Sequence, residues 1–178
     1  STHGQMIGRG PSARSLAPES CGTGTSNYGD TEATASYSTF AANYITYVPV
    51  TVTGCGGVIS YHAFVGTTVS THVKFALYTD ASGTPGSYIE NSITSEVSET
   101  ASAWNTYTPV STSFNVTAGN YWVASISDAT HNISSTGGTL SRYRQSQTYA
   151  NGFVTTASAS LNISDCNINV YITVNHEF

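Results

Sequence analysis

Short runs of β-branched and aromatic residues, each bounded by Gly, Pro, Asn or Asp, follow one another along most of this chain. Such runs favour strands, and the residues between them favour turns. No stretch combines helix caps with an apolar period of 3.6 residues. The predicted strands are 44–53, 58–65, 72–79, 88–95, 106–116, 121–127, 140–149 and 168–174. We therefore predict an all-β fold, an antiparallel, jelly-roll-like β-sandwich formed by residues 37–178.

The predicted strands 58–65 and 72–79 are close in sequence, and both alternate apolar with polar residues. A hairpin across residues 66–71, with Val65 opposite Thr71, places their apolar side chains on one face. These side chains are Ile59, Tyr61, Ala63, Val73, Phe75 and Leu77. The opposite face then carries His62, Phe64, His72 and Lys74. We predict this pairing and this register.

The composition favours a secreted protein over a cytosolic enzyme. Only 8% of residues are charged, against about 25% in an average soluble domain, and Ser and Thr together fill 53 of the 178 positions. The net charge of −5 disfavours nucleic acid, which binds basic surfaces. No run approaches the roughly 20 apolar residues that span a bilayer. We expect an extracellular setting, at a cell or virion surface, without nucleic acid and without a membrane span.

Residues 1–36 differ from the rest of the chain because Gly and Pro recur and neither strand nor helix periodicity is visible. Apolar side chains are few there: Met6, Ile7 and Leu16. The first 18 residues carry Arg9 and Arg14 and no acid, whereas all 10 acids lie in the remainder. Opposite charges favour head-to-tail contact between subunits. We predict an extended N-terminal arm that reaches a neighbouring copy; an arm docked on its own domain and a solvated tail are the alternatives.

The chain contains three cysteines, Cys21, Cys55 and Cys166, so one disulfide would leave one thiol over. Without a Cys-x-x-Cys pair, the spacing supports neither a zinc site nor a thioredoxin-like centre. Cys55 follows the first strong strand and Cys166 opens the last one. Antiparallel pairing of those two strands would bring these cysteines together. We therefore favour a Cys55–Cys166 disulfide, while the other pairings stay open.

No constellation of residues indicates catalysis. The histidines are scattered along the chain: His3, His62, His72, His131 and His176. No G-x-S-x-G elbow supports a serine nucleophile, and the local carboxylates lie outside the strands that carry His62 and His72. Asp80, Asp128 and Asp165 fall at predicted strand ends, where Asp favours turns over calcium binding. We predict a protein that is not an enzyme and uses no metal or cofactor.

Three N-x-S/T sequons begin at Asn115, Asn132 and Asn162. A chain of this composition contains roughly three or four such sequons by chance, so their number carries no information. All three fall at or near predicted turns, where a glycan is sterically allowed. We predict N-glycosylation at these residues, and O-linked sugar on the Thr-rich surface is equally compatible.

Two aromatic residues indicate an alternative site. Trp104 follows a polar run and stands where a loop meets a strand, which favours exposure, and aromatic faces stack on pyranose rings. Trp122 alternates with Ala124 and Ile126 and is predicted to face the core instead. Trp104 and Tyr107 are therefore the candidate residues for sugar binding.

The segments ALYTDASGTPGS, AWNTYTPVS and FNVTAGNYWVASIS occur in this order. They resemble a secreted β-sandwich module that recurs in extracellular microbial proteins, phage particles and carbohydrate-associated domains. The resemblance spans about residues 37–174 and implies a jelly-roll-like fold in an extracellular setting, with no single activity. A lone module preceded by an arm also resembles a protomer of extracellular filaments or pili. This arm lacks the alternating apolar residues of a donated strand, which indicates a contact of another geometry.

Together these features predict a structural subunit of an extracellular, glycosylated, homopolymeric filament. The partners are copies of the same chain. The predicted arm contacts are Met6, Ile7, Arg9, Arg14 and Leu16. The alternative is a carbohydrate-binding module of a secreted or phage surface protein, built around Trp104 and Tyr107.

Overall fold

The structure is a computed structural model that describes residues 21–112 and 114–177. These residues form fourteen strands, paired antiparallel, and one short 3-10 helix, Tyr149–Asn151. The strands are β1 (Thr25–Gly29), β2 (Tyr37–Phe40), β3 (Tyr44–Val52), β4 (Gly56–Val65), β5 (Val73–Ala81), β6 (Thr84–Tyr88), β7 (Ala103–Tyr107), β8 (Phe114–Val116), β9 (Gly119–Ser127), β10 (His131–Gly137), β11 (Arg142–Ser146), β12 (Ser160–Ile163), β13 (Cys166–Ile168) and β14 (Val170–Asn175). The predicted all-β antiparallel sandwich is confirmed.

Two sheets pack face to face. The first sheet has the order β1-β14-β4-β10-β13, with β2 paired to β10 and with β7 and β8 paired to β4. The second sheet has the order β12-β11-β3-β9-β5-β6. Apolar side chains alternate along the strands, so each sheet turns one apolar face toward the other. Tyr61 and Ile172 from the first sheet meet Phe75, Leu77 and Val123 from the second in one core.

The predicted hairpin between 58–65 and 72–79 is wrong. β4 lies in the first sheet and β5 in the second, so the chain between them crosses from one sheet to the other. Their apolar side chains still meet, because the ring centroids of Tyr61 and Phe75 are 5.9 Å apart across the core. A hairpin and a cross-core arrangement bury the same alternating residues, and the alternation alone does not distinguish them.

A β-bulge in β4 changes which residues face inward. The register against β14 shifts between Ser60 and Val58, so Ile59 has no partner of its own. Val58 is fully buried, whereas Ile59, predicted to face the core, is 37% exposed. The extra residue reverses the alternation on one side of the bulge.

Two further predicted strands are displaced. Ser82 and Gly83 both have positive φ and form a two-residue turn of the kind that favours a tight hairpin. The strand after this turn, β6, therefore ends at Tyr88 instead of beginning there. The predicted strand 106–116 is two strands, β7 and β8, separated by a segment that contains Pro109, which has no N–H for a β-ladder.

Residues 92–97, part of a predicted strand, instead close one long side of the sandwich. Val97 exchanges two backbone hydrogen bonds with Val73 of β5, at 3.0 and 2.9 Å. The Ser95 N–H donates to the carbonyl of Thr108, just after β7, at 3.0 Å. This segment thus joins the β7 edge of the first sheet to β5 of the second sheet. We call the long side of the sandwich that residues 92–97 cover the closed side, and the opposite long side the open side.

The outer face of the second sheet is covered by its own chain. Trp122 is 4% exposed and is buried as predicted, but in an outer cluster with Tyr78 and other residues of β3, β5 and β9. Residues 149–159 lie over this cluster. The Phe153 ring packs 6.4 Å from Tyr78, and the Ala157 N–H donates to the carbonyl of Gly86 at 2.8 Å.

Part of the predicted arm belongs to the sandwich. β1 pairs along its whole length with β14, from Thr25 opposite Asn175 to Gly29 opposite Tyr171. It is the edge strand of the first sheet. Among the described residues, no strand pairs with the outer edge of β1.

The predicted Cys55–Cys166 disulfide is wrong. Cys21 and Cys55 form the disulfide, and Cys166 is a free, half-buried thiol. The prediction required the strand before Cys55 to pair with the last strand, but β3 and β14 lie in different sheets. Pairing of β1 with β14 instead brings the start of β1 to the turn between β3 and β4, where Cys55 lies.

Candidate functional site

A cleft with a volume of about 520 Å³ lies between the sheets on the long side opposite residues 92–97. One wall is formed by the end of β1 and the residues that follow, as far as Glu32. The other wall is residues 49–51 of β3, and Leu140, Ile168 and Val170 add apolar lining. We call this feature the side cleft.

Gly29 and Asp30 shape the first wall. Gly29 has a φ of +127°, and a β-carbon on it would lie 2.5 Å from the Val170 carbonyl oxygen, so glycine is what allows β1 to run this close to β14. The Asp30 N–H donates to the same carbonyl at 2.9 Å. The Asp30 carboxylate accepts from the Glu32 N–H at 2.9 Å and from the Thr136 hydroxyl at 3.4 Å. These bonds hold the exposed Glu32 at the side cleft.

The charge of the side cleft is negative. Asp30 and Glu32 are the charged residues that line it, and within the described residues neither forms a salt bridge. Their half-buried and exposed carboxylates therefore remain accessible to a cationic partner. The residues predicted for the arm contact, Met6, Ile7, Arg9, Arg14 and Leu16, lie outside the described residues.

A second surface is a cluster of half-buried rings on the outer face of the first sheet, formed by His62, Phe64, Trp104 and Tyr171; we call it the aromatic patch. The pairings of β4 with β7 and β14 set Phe64 opposite Trp104 and His62 opposite Tyr171. The Trp104 ring centroid lies 5.5 Å from that of Phe64 and 5.1 Å from that of Tyr171. His62 stacks on Tyr171 at 4.5 Å, and burial lowers the pKa of His62.

The sequence predicted part of the aromatic patch and missed the rest. His62 and Phe64 were placed together on an outward face, and Trp104 was identified separately. Tyr171 was missed. It alternates with the apolar residues of β14, which is a signal for an outward aromatic side chain, but the alternation does not show that β14 lies beside β4.

Tyr107 is not available to a sugar, and its predicted role is wrong. The ring is fully buried in the core between the sheets, and the hydroxyl donates to Glu99 Oε2 at 2.7 Å. Alternation along β7 explains this, since Trp104 and Thr106 face outward while Asn105 and Tyr107 face inward. Burial first, and then the charge of Glu99 and its hydrogen bond, raise the pKa of Tyr107 well above its usual value.

Glu99 is the centre of a buried polar network on the closed side. Besides Tyr107, its Oε2 accepts from His131 Nδ1 at 3.0 Å, and its Oε1 accepts from the Ser70 N–H at 3.1 Å. The Glu99 and His131 side chains are 0% and 1% exposed. Groups this deeply buried contact no substrate, and their hydrogen bonds instead tie the segment after residue 97 to β7 and β10.

A smaller pocket, of about 400 Å³, lies on the outer face of the second sheet and shares residues 49–51 and Leu140 with the side cleft. In it, Asp80 Oδ1 accepts from Trp122 Nε1 at 2.9 Å, and its other oxygen accepts from the Gly83 N–H at 3.1 Å. The predicted turn role of Asp80 is confirmed.

The three sequon asparagines lie on strands, not at turns. Asn115 is the exposed central residue of β8. Asn132, in β10, is half-buried, and its side-chain oxygen accepts from the Thr68 N–H at 3.1 Å. Asn162, in β12, is also half-buried and accepts from Arg142 Nε at 2.8 Å. Asn115 is therefore the sequon residue that projects most freely.

His62 lies in β4 of the first sheet, and His72 lies just before β5 of the second sheet. The two histidines therefore do not share the predicted face. Across residues 21–112 and 114–177, no three His, Cys, Asp or Glu side chains cluster as metal ligands.

In that same part of the chain, no helix has the length and hydropathy of a membrane span. No protein-family model and no curated protein matches the sequence.

Proposed function

We propose that this chain is a non-enzymatic structural subunit of an extracellular, glycosylated, homopolymeric filament whose copies meet through residues 1–20, the part of the predicted arm that precedes the sandwich. The observation that carries the proposal is the asymmetry of the sandwich. One long side is closed by residues 92–97, whereas on the other side, among the described residues, the outer edge of β1 is unpaired beside the side cleft.

An unpaired strand edge is a surface on which another chain can add backbone hydrogen bonds. Natural sandwiches usually shield such an edge with charged residues, Pro or a covering segment. The β1 sequence, Thr-Ser-Asn-Tyr-Gly, contains no charge and no proline. A contact between this edge on one copy and a different surface on the next is heterologous, and a heterologous contact that does not close into a ring yields a helical filament.

The surface chemistry supports an extracellular polymer. With 8% charged residues, the surface is dominated by hydroxyl and amide groups, which tolerate close contact between copies without strong like-charge repulsion. The exposed Asn115 lies on β8, across the first sheet from β1, so a glycan there leaves the open side free.

Electron microscopy of the full chain and of a variant that lacks residues 1–20 tests the proposal. We expect regular filaments from the full chain. The shortened chain retains Cys21 and every described strand, so we expect a folded monomer, identified by its circular dichroism and its sedimentation coefficient. Filaments of unchanged symmetry from the shortened chain would contradict assembly through the arm, and a full chain that stays monomeric would contradict the filament itself.

The aromatic patch favours a second candidate function, carbohydrate binding. Trp104, Tyr171 and Phe64 form an outward-facing aromatic surface of the kind that stacks on pyranose rings. Under this function, Trp104→Ala abolishes retention of the chain on immobilised polysaccharide, while the control Tyr88→Ala, in the covered outer cluster of the second sheet, lowers stability without changing retention. Equal retention of Trp104→Ala and the unmodified chain would exclude the aromatic patch as a carbohydrate-binding site.

A further inference from the structure

We infer that the side cleft receives residues 6–16 of a second copy of this chain, with Arg9 and Arg14 beside Asp30 and Glu32. This inference rests on the proposed filament function and names the surface that the arm contacts.

The charge of the cleft selects a cationic occupant. Asp30 and Glu32 line it, and no base is among the described residues that do so. Asp30 is held in place by its bonds to the Glu32 N–H and to Thr136, so its carboxylate is ordered before any partner arrives. Bringing a cation to such a pair requires little further loss of conformational entropy on the acidic side.

The bases of the described body are already engaged, which leaves those of the arm. Arg142 is 4% exposed and donates to the Thr39 carbonyl. The Arg144 guanidinium lies 4.5 Å from the centre of the Tyr44 ring, and Lys74 lies 5.7 Å from the centre of the Tyr149 ring. The chain has only 5 Lys and Arg residues, and the remaining two are Arg9 and Arg14. A second copy therefore offers the cleft its cations from the arm.

The apolar lining suits the few apolar residues of the arm. Leu140 is 41% exposed and lies beside Ile168 and Val170 in the cleft. In the sequence, Met6-Ile7 precedes Arg9 and Leu16 follows Arg14, so each arginine has an apolar neighbour two residues away. The cleft volume of about 520 Å³ is within the range of roughly 300–1,000 Å³ that proteins use for compact ligands. It accommodates these side chains but not the whole arm.

The arm also has the reach for a trans contact. Residues 6–16 lie 5 to 15 positions before the disulfide at Cys21, and extended chains of those lengths span up to roughly 17 to 50 Å. The Cys21–Cys55 disulfide holds the base of the arm on the body, so force on an inserted arm passes to the covalently linked turn between β3 and β4. A head-to-tail series of such contacts builds the filament.

A charge-exchange experiment on full chains tests the inference. The cleft variant carries Asp30→Asn and Glu32→Lys, in which Asn keeps the oxygen that accepts from the residue 32 N–H. The arm variant carries Arg9→Glu and Arg14→Glu. We expect the critical concentration for polymerisation of each variant alone to rise about tenfold or more, since like charges that face each other across an interface are strongly unfavourable.

Mixing the two variants decides the location of the contact. If the arm of one copy enters the cleft of another, the reversed arm fits the reversed cleft and the unmodified arm fits the unmodified cleft. We expect the equimolar mixture to polymerise near the concentration of the unmodified chain. Rescue by combining all four substitutions in one chain, without rescue on mixing, would show that the arm enters its own cleft and would overturn the inference.

A matched control guards against a general effect of charge. Glu90→Lys with Asp128→Asn makes the same two kinds of substitution, and so the same charge change, at exposed positions outside the cleft, and we expect it to polymerise like the unmodified chain. If polymerisation of this control and of the cleft variant is impaired equally, the cleft is not the surface that binds the arm, and the inference is overturned. Filaments that form from the unmodified chain and equally well from the cleft variant would overturn the inference and leave the filament function standing. Absence of filaments from the unmodified chain would overturn both.

Discussion

The two long sides of this sandwich are closed in different ways. On one side, residues 92–97 hydrogen-bond to β5 of the second sheet and to the residues after β7 of the first, and Glu99 lies buried beneath the same side. On the other side, β1 ends in an exposed acidic loop, and the side cleft separates it from β3. Within the described residues, the chain satisfies its own backbone on the closed side, whereas the outer edge of β1 on the open side pairs with no strand.

From this difference we expect the closed side to contribute mainly to the stability of the monomer and the open side mainly to association. The closed side contains fully buried polar groups whose partners all come from the same chain, so substitution there acts on folding. The open side contains exposed carboxylates that stabilise the monomer little, so under the proposed filament function we expect substitution there to act on assembly and not on folding. The substitutions below test whether the two sides differ in this way, and they are ordered by decreasing expected effect on the free energy of unfolding.

Removal of the buried carboxylate on the closed side has the largest expected effect. Glu99→Ala leaves the buried Tyr107 hydroxyl, His131 and the Ser70 N–H without their acceptor, and we expect a loss of about 3–5 kcal/mol in the free energy of unfolding. Its open-side counterpart, Glu32→Ala, should change that free energy by no more than about 0.5 kcal/mol. Urea denaturation monitored by tryptophan fluorescence measures both. Similar losses from the two variants would refute the contrast.

The disulfide at the base of β1 comes next. It closes a loop with a sequence separation of 34 residues, and for a loop of this length the chain-entropy model gives about 3–4 kcal/mol. The double variant Cys21→Ala, Cys55→Ala should lose most of this and should show faster amide exchange in β1 than in β5. The control Cys166→Ala, at the free thiol, should keep the exchange rates of β1 unchanged. A loss that follows Cys166 instead of Cys21 would restore the pairing first predicted from the sequence.

Alkaline pH separates the buried tyrosine of the closed side from solvent-exposed groups. Tyrosine in an unfolded chain ionises near pH 10, whereas burial and Glu99 raise the pKa of Tyr107 in the folded state. The fold therefore favours the protonated phenol. Its contribution is complete below about pH 10 and is lost as the pH rises toward the folded-state pKa. We expect the unfolding free energy of Tyr107→Phe to fall less steeply between about pH 9 and pH 11; identical slopes for the variant and the unmodified chain would count against this.

The smallest expected effect on stability concerns the glycan. Asn115 is exposed on β8, on the edge of the first sheet away from β1, so Asn115→Gln should alter the unfolding free energy by less than about 0.5 kcal/mol. In material from a glycosylating host, mass spectrometry should show one glycan fewer in this variant. Asn162→Gln should remove none, because the Asn162 side chain is engaged by Arg142. A glycan found on Asn162 and absent from Asn115 would reverse this assignment.

Much of the strand content followed from local chemistry. Alternation of apolar residues located β5, β9 and β14 to within a few residues, and it correctly indicated that Trp122 is buried. The alternation failed to predict strand positions where one or two residues change the backbone geometry. The bulge beside Ile59 brings Val58 into the core, and the two-residue turn at Ser82 and Gly83 starts β6 earlier than predicted.

The candidate sites depended more on tertiary structure than the strands did. The side cleft combines residues 29–32, 49–51, 140, 167, 168 and 170, which lie far apart in sequence, and the aromatic patch needs β7, β4 and β14 side by side. Trp104 and Tyr107 were both predicted to bind sugar, but they are three residues apart, and an odd spacing on a strand places two side chains on opposite faces. One faces outward and the other fills the core.

By itself, the sequence determined that this chain forms an all-β antiparallel sandwich, because alternation shows which face of each strand is apolar. The packing of the strands fixed which of them are neighbours, and therefore that Cys21 pairs with Cys55, that β4 and β5 face each other across the core, and that the side cleft lies between residues 29–32 and residues 49–51 of β3. The physical reason is that alternation is a property of one strand, whereas the choice of neighbour depends on the free energy of all the strands packed together.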